Sequence, residues 1–235
     1  MYKIQDDVIL IGKTIIKPEK SFSFNAYLIT GEQNVLIDTV PAKSSESFWQ
    51  EVEDIVPTDK LDFLILNHSE EDHSGALPYL FETRPDIPIY CTASCAERLK
   101  GLYPQVRNWH LVKHGDVLNI GENRILRFYE TPGLHWDDNM VTYFENNQIL
   151  FSNDLFGQTI GSEIPLDTEL ELETLERATK DYFNRVFLQA SAKQKQVIRF
   201  LLELPIKYIA TGHGVVIKER LADLIKWYNE MIPQL

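Results

Sequence analysis

Short apolar runs separated by polar turns fill the first part of the chain, and longer stretches of helical period interrupt them. Residues 8–11, 24–30 and 35–38 are compact apolar runs that predict strands, the last two joined by the turn Gly31-Glu32-Gln33. Over 44–56 the period changes: Phe48, Val52 and Ile55 share one face, and Ser44 or Ser45 supplies a cap, so this segment predicts a helix. Residues 61–66 predict a buried strand, 75–81 the start of a helix that stops near Pro85, 87–91 a strand and 93–102 a helix. Strands return at 109–112, 117–120, 125–129, 140–144 and 148–151, and the last two flank the hairpin turn Glu145-Asn146-Asn147. A helical stretch over 170–204, broken near 190–192, precedes a short strand at 208–210. An amphipathic helix over 218–231 follows, with Leu221, Leu224, Ile225 and Tyr228 on one face. Strand-rich blocks, each followed by helices, predict an α/β fold of two sheets packed face to face with helices outside. No repeat, low-complexity tract or Pro/Gly/Ser linker divides the chain, so residues 1–235 are read as a single domain.

The bulk composition removes several function classes. A chain of 235 residues buries a sizeable core without disulfide staples. Its net charge of −12 opposes nucleic acid and anionic membrane, so neither is expected as a partner. Cys91 and Cys95 are the only cysteines; their spacing is neither that of a zinc ribbon nor that of a thioredoxin motif, and they are read as reduced, inert thiols. The N-terminal MYKIQDDVIL lacks the basic flank and apolar core of a signal peptide, and no apolar run approaches the roughly 18 residues of a membrane span. A cytoplasmic location is expected.

Candidate chemistry is concentrated in Asn67-His68-Ser69-Glu70-Glu71-Asp72-His73, which places two imidazoles and three carboxylates directly after the apolar residues 63–66. Imidazole mixed with several hard carboxylate oxygens suits iron or manganese at least as well as zinc. Three more polar residues follow strand-like runs: His135 in Glu130-Thr131-Pro132-Gly133-Leu134-His135-Trp136, Asp154 in Phe151-Ser152-Asn153-Asp154, and His213 between Gly212 and Gly214, where glycine lets the backbone approach closely. A single histidine after a strand is more often a satisfied hydrogen-bonded residue than a ligand, but five such positions together point to a metal centre. His110 and His114 lack this setting and read as ordinary residues. Trp136 is equally a pocket wall or a core residue. Tyr182 and Phe183 read first as helix packing and only second as residues that reach the site. The acidic run 167–176 reads as a solvated helix start favoured by the helix dipole, with a docking face for a basic partner as the lesser alternative.

The order His68-x-Glu70-x-Asp72-His73, followed by His135, Asp154 and His213, resembles the metallo-β-lactamase superfamily. Within it, the resemblance is to the flavodiiron branch of rubredoxin–oxygen oxidoreductases and nitric oxide reductases. Glu70 stands where the hydrolase branch has the second histidine of His-x-His-x-Asp-His. The segments NHSEEDHSGALP, TPGLHWDDNM, LFSNDLFGQ and TGHG carry the resemblance along nearly the whole chain. It implies a metallo-β-lactamase-like αββα sandwich with a non-haem diiron centre at one sheet edge. One iron would bind His68, Glu70 and His135, and the other Asp72, His73 and His213. Asp154 would bridge both, together with a hydroxo, oxo or peroxo group, and no catalytic residue is expected beyond these ligands. Leu155 and Thr159 depart from the family's frequent Ala and His, and Asp137 and Asn139 from its common Pro and Ser. The family continues into a flavodoxin domain. No phosphate-loop βαβ pattern or rubredoxin-type cysteine pair is seen up to Leu235, so no FMN is expected within this chain.

Three functions follow from the resemblance. The first is an oxygen (and iron) sensor that binds O2, reduces it to an iron–peroxo adduct and signals to a chemotaxis histidine kinase, as implied by similarity to stand-alone oxygen-binding diiron proteins. The second is an O2 or NO reductase domain fed by a separate redox partner, a flavoprotein or a rubredoxin. The third is a zinc hydrolase, against which Glu70 argues. A homodimer is implied in each case.

Overall fold

The computed structural model describes residues 1–17 and 20–232. The first half of the chain builds one sheet and the second half another. The first comprises β1 (Tyr2–Gln5), β2 (Val8–Lys17), β3 (Lys20–Ile29), β4 (Val35–Ile37), β5 (Phe63–Ile65), β6 (Ile89–Cys91) and β7 (Trp109–Leu111), laid side by side in chain order. β1 to β4 are antiparallel neighbours, and β4 to β7 are parallel. Parallel neighbours need crossover connections. These carry α1 (Ser45–Glu53), then α2 (Glu71–Ser74) with α3 (Leu77–Thr83), then α4 (Ala93–Leu102). The second sheet has the order β12-β11-β10-β9-β8, from β8 (Val117–Asn119), β9 (Ile125–Glu130), β10 (Met140–Phe144), β11 (Ile149–Asn153) and β12 (Tyr208–Thr211). Only its β11–β12 pair is parallel, joined through α5 (Leu172–Val186) and α6 (Ala192–Leu202); α7 (Leu221–Met231) closes the described chain.

Three apolar layers hold these elements in an αββα sandwich. In β4, Val35 and Ile37 face the second sheet while Leu36 faces the helices, so this short strand is buried on both sides. Such double burial is why its sequence is a continuous apolar run rather than an alternating one. Tyr27, Ile65, Phe128, Phe144 and Phe151 fill the space between the sheets. Phe48, Val52, Leu80 and Leu99 pack the first helical layer onto Leu28 and Leu64, and Leu175, Phe183, Ile198 and Leu224 pack the second onto Val141 and Leu150. The break near 190–192 is a helix start: Ser191 and Gln194 form a capping box at α6. Thr92 caps α4 by accepting a hydrogen bond from the Cys95 amide at 3.1 Å.

Several sequence expectations change. β1 has no counterpart in them, and β2 and β3 run well past residues 11 and 24 as a long hairpin that pairs Ile16 with Ser21. Ser44 takes the cap position of α1, but its side chain makes no capping hydrogen bond. Asp167, read as part of a solvated run, is fully buried; it accepts hydrogen bonds from the amides of Lys218 and Arg220 at 2.8 and 2.7 Å and so fixes the entry to α7. Cys91 and Cys95 are free and buried. Among the described residues no helix is long and apolar enough to cross a membrane.

Candidate metal centre

The loops that leave β5, β9, β11 and β12 meet at one edge of the sandwich and bring all seven predicted ligand residues together. His68 and Glu70 follow β5, Asp72 and His73 lie in α2, His135 lies in the β9–β10 connection, Asp154 follows β11 and His213 follows β12. Donor atoms of His68, Glu70, His135 and Asp154 all lie within 4.8 Å of one another, and so do those of Asp72, His73 and His213. Asp154 stands between the two groups. Its Oδ1 is 3.1 Å from His213 Nε2 and 3.3 Å from His73 Nε2, whereas its Oδ2 is 3.7 Å from His68 Nε2. Glu70 Oε2 lies 3.2 Å from both His68 Nε2 and His135 Nε2. Asp72 Oδ2 lies 3.4 Å from His213 Nε2.

Hydrogen bonds behind the imidazoles decide which nitrogen faces inward. His68 Nδ1 donates to Asp138 Oδ1 at 3.1 Å, and His213 Nδ1 donates to the Ser23 carbonyl at 2.8 Å. Both rings therefore present Nε2 to the site, with orientation and basicity set by the partner behind. Burial favours neutral His68, but hydrogen bonds to Asp138 and Glu70, with the nearby charges of Asp154 and Asp138, outweigh it and raise its pKa to about 10. His213 is raised to about 10 in the same way: burial opposes its charge, and Asp154 and Asp72 override that. Hydrogen bonds from His135 and His68 hold the Glu70 carboxyl at about 2. Burial would raise the Asp154 carboxyl, yet His73 and His213 hold it well below the usual range.

Two buried carboxylate oxygens, Asp72 Oδ1 and Asp154 Oδ2, accept no hydrogen bond from any described residue. Unpaired buried anionic oxygens are costly. Beside four imidazole nitrogens, they form a donor set that fits a pair of divalent cations, and its carboxylate share fits iron.

Residues that sequence reasoning did not select hold the cluster in place. Asp38 is buried between the sheets at the end of β4. It accepts from the Asn67 amide at 2.8 Å, from Asn67 Nδ2 at 3.1 Å and from Asn153 Nδ2 at 3.1 Å. It thereby ties the residue before His68 to the residue before Asp154. Asp138 anchors His68 and also accepts from the Ser69 amide at 2.9 Å. Tyr182, read as packing, donates its phenol hydrogen to Asp154 Oδ1 at 2.8 Å. Trp136 is a wall: its ring meets His68 edge-on at 4.8 Å, and the Arg98 guanidinium covers it at 5.0 Å. His110 and His114 lie elsewhere, against Tyr90 and against Tyr129 and Phe200.

Gly212 is where the backbone approaches closely: a Cβ there would lie 2.9 Å from His73 Cε1 and 2.9 Å from the Asn153 carbonyl carbon. Gly212→Ala is expected to push His73 outward, destabilise the fold by about 1–3 kcal/mol as overpacking does, and reduce metal retention. Thermal unfolding and metal analysis of the purified variant check this.

The ODP family beta lactamase pattern matches residues 22–214. An anaerobic nitric oxide reductase flavorubredoxin of Klebsiella pneumoniae is 40% identical over 220 residues, which is 92% of this chain and 46% of that protein. A flavorubredoxin homologue of Escherichia coli O157:H7 is 38% identical over 218 residues, covering 92% of this chain and 53% of its own length. The chain thus spans about half the length of the curated relatives it matches. Among solved structures, the rubredoxin:oxygen oxidoreductase of Desulfovibrio gigas superposes with a TM-score of 0.87 at 30% identity, covering 97% of this chain and 60% of that one. The flavodiiron protein of Giardia intestinalis superposes with a TM-score of 0.90 at 28% identity, covering 97% and 58%. With its two-sheet fold and two clusters of His, Asp and Glu side chains, the chain belongs to the ODP family of beta lactamases as a flavodiiron-type, metallo-β-lactamase-like core.

Proposed function

We propose that His68, Glu70 and His135 hold one iron, that Asp72, His73 and His213 hold a second, that Asp154 bridges them, and that this centre takes O2 or NO. The observation that carries the reading is the position of Asp154, whose two oxygens face different clusters. Two ferrous ions would supply electrons and open positions for a diatomic ligand. The chain's own groups prepare for them. Asp138 and the Ser23 carbonyl fix two Nε2 atoms inward, and Glu70, Asp72 and Asp154 bring three negative charges that only partly balance two divalent cations. Trp136 walls the site beside His68, and the Phe22 ring, 4.6 Å from His213, walls the other end.

Within this reading the chain is an oxygen sensor. What supports this is the connection between His68 and an exposed helix. Asp138 holds His68 through its carboxylate and accepts from Thr92 Oγ1, the cap of α4, through its carbonyl at 2.9 Å. Trp136 lies between His68, which it meets edge-on, and Arg98 of the same helix. A change at His68 therefore reaches α4 by two routes. The reader would be a signalling partner of the chemotaxis histidine-kinase type, with residues 1–235 acting as one cytoplasmic domain in a homodimer. A reductase fed in trans by a flavoprotein or rubredoxin is the second reading, favoured by the identity to nitric oxide reductase flavorubredoxins. One O2 addition to the anaerobically loaded diferrous protein, followed by stopped-flow absorbance and an oxygen electrode, separates the two. A single stoichiometric uptake and a slowly decaying visible band, unchanged when an electron donor is present, fit the sensor. Sustained uptake once the donor is added fits the reductase.

Glu70 sets the metal preference in this scheme. Glu70→His replaces a hard anionic oxygen with a neutral nitrogen, so the variant is expected to purify with zinc in excess over iron. An iron-to-zinc ratio equal to that of the wild type, by plasma mass spectrometry, would place the preference elsewhere.

A further inference from the structure

Among the described residues, Tyr182 is the one hydroxyl that hydrogen-bonds the proposed bridging carboxylate, and it reaches only one of its two oxygens. Its phenol donates to Asp154 Oδ1 at 2.8 Å, while Asp154 Oδ2 accepts no hydrogen bond from a described residue. Oδ1 is also the oxygen that faces His73 and His213, and Oδ2 is the one that faces His68. The two ends of the carboxylate thus stand in different surroundings.

The phenol is locked in this position. Tyr182 is buried on α5, and its ring lies against His213 with centroids 5.9 Å apart and against Phe187 at 6.2 Å. The Arg185 guanidinium lies over the ring at 5.4 Å. On the side of the loop after β11, Gly157 makes room: a Cβ there would lie 2.8 Å from Tyr182 Cε1 and 2.9 Å from Cζ. A glycine next to the ring and three neighbours around it leave the hydroxyl one acceptor.

We propose that Tyr182 is a positioning residue that holds Asp154 Oδ1 toward the Asp72/His73/His213 half of the site and so governs retention of the metal there, while the His68/Glu70/His135 half is served by the oxygen that Tyr182 does not touch. The proposal rests on the diiron reading above. Groups that orient a ligand from behind typically change metal affinity 10- to 100-fold when removed. Tyr182→Phe keeps the ring and deletes the hydrogen bond, so its effect falls on one half.

The test is stepwise removal of iron from anaerobically loaded protein by a competing chelator, with 57Fe Mössbauer spectra at each step. Wild type is expected to hold two irons per chain with two distinguishable ferrous signals. Tyr182→Phe is expected to fold normally by circular dichroism, to lose one signal at roughly tenfold lower chelator concentration and to keep the other unchanged. Gly157→Ala, which displaces the same ring while keeping its hydroxyl, is expected to reproduce that selective loss, and it carries the test if the phenylalanine variant does not fold. Equal weakening of both irons, or no change in either variant, would overturn the positioning role while leaving the diiron reading intact. Failure of the wild type to take up two irons would overturn both.

Discussion

Asp154→Ala is expected to purify with neither metal, even though six of the seven proposed ligands remain. The reason lies in how the site divides. Asp154 approaches both clusters, with Oδ1 near His73 and His213 and Oδ2 near His68. Without it, two divalent ions would sit side by side with one fewer negative charge between them and no ligand holding their separation. The loss is compounded from behind, because Tyr182 would be left with a buried phenol and no acceptor. An unpaired buried polar group costs about 1–3 kcal/mol, so the variant should also unfold at lower denaturant. Metal analysis after anaerobic loading is the decisive measurement, and one retained iron per chain would mean that the aspartate serves a single half.

Asp38→Ala is expected to produce the largest loss of fold stability among single substitutions near the site, about 3–5 kcal/mol. The Asp38 carboxylate accepts three hydrogen bonds, all from buried donors on Asn67 and Asn153. Each donor left unpaired costs about 1–3 kcal/mol, and the three are not additive because relaxation of one loop relieves another. Asp38 also sits at φ 57°, a left-handed conformation that alanine disfavours. Asp38→Asn offers one acceptor oxygen in place of two and should lose less than the alanine variant. Urea unfolding of the metal-free proteins compares them without the contribution of bound iron; equal midpoints for wild type and Asp38→Ala would show that the two loops hold themselves.

The sequence was most readable where one physical signal dominates. The helix at 93–102 and the strand at 140–144 have the bounds their patterns predict, because Thr92 caps the former and a tight turn ends the latter. His68, His135, Asp154 and His213 were legible because each follows an apolar strand, and Glu70, Asp72 and His73 because they crowd the same short run after β5; the division of the seven into two sets came from the family resemblance. Residues one layer behind them were not legible. Asp38 is a lone acid and Asp138 one of an adjacent pair, both beside turns, a setting that more often means solvent than a buried acceptor. Tyr182 keeps helical spacing with the buried Leu175 and Ala178, so its periodicity describes packing and conceals the hydroxyl. The extension of β2 and β3 was hidden by Lys13, Thr14, Ser21 and Ser23: Ser23 is polar because its hydroxyl donates to the Gly214 carbonyl and accepts from the Gly214 amide, both at 2.8 Å. Asp167 misled for the opposite reason, a buried acceptor placed at the head of a run of exposed acids.

The division of the chain into two sheets has a consequence for assembly. Strands β1 to β7 come from residues before 112, and β8 to β12 from residues after 116. His68, Glu70, Asp72 and His73 belong to the first set, and His135, Asp154 and His213 to the second. Each proposed metal position draws on both. A chain nicked in the short connection between β7 and β8 would therefore leave two fragments, neither with a complete ligand set for either ion. Iron would act as a rivet between them, and its removal would loosen the halves as a zip fastener opens when its end stop is lifted.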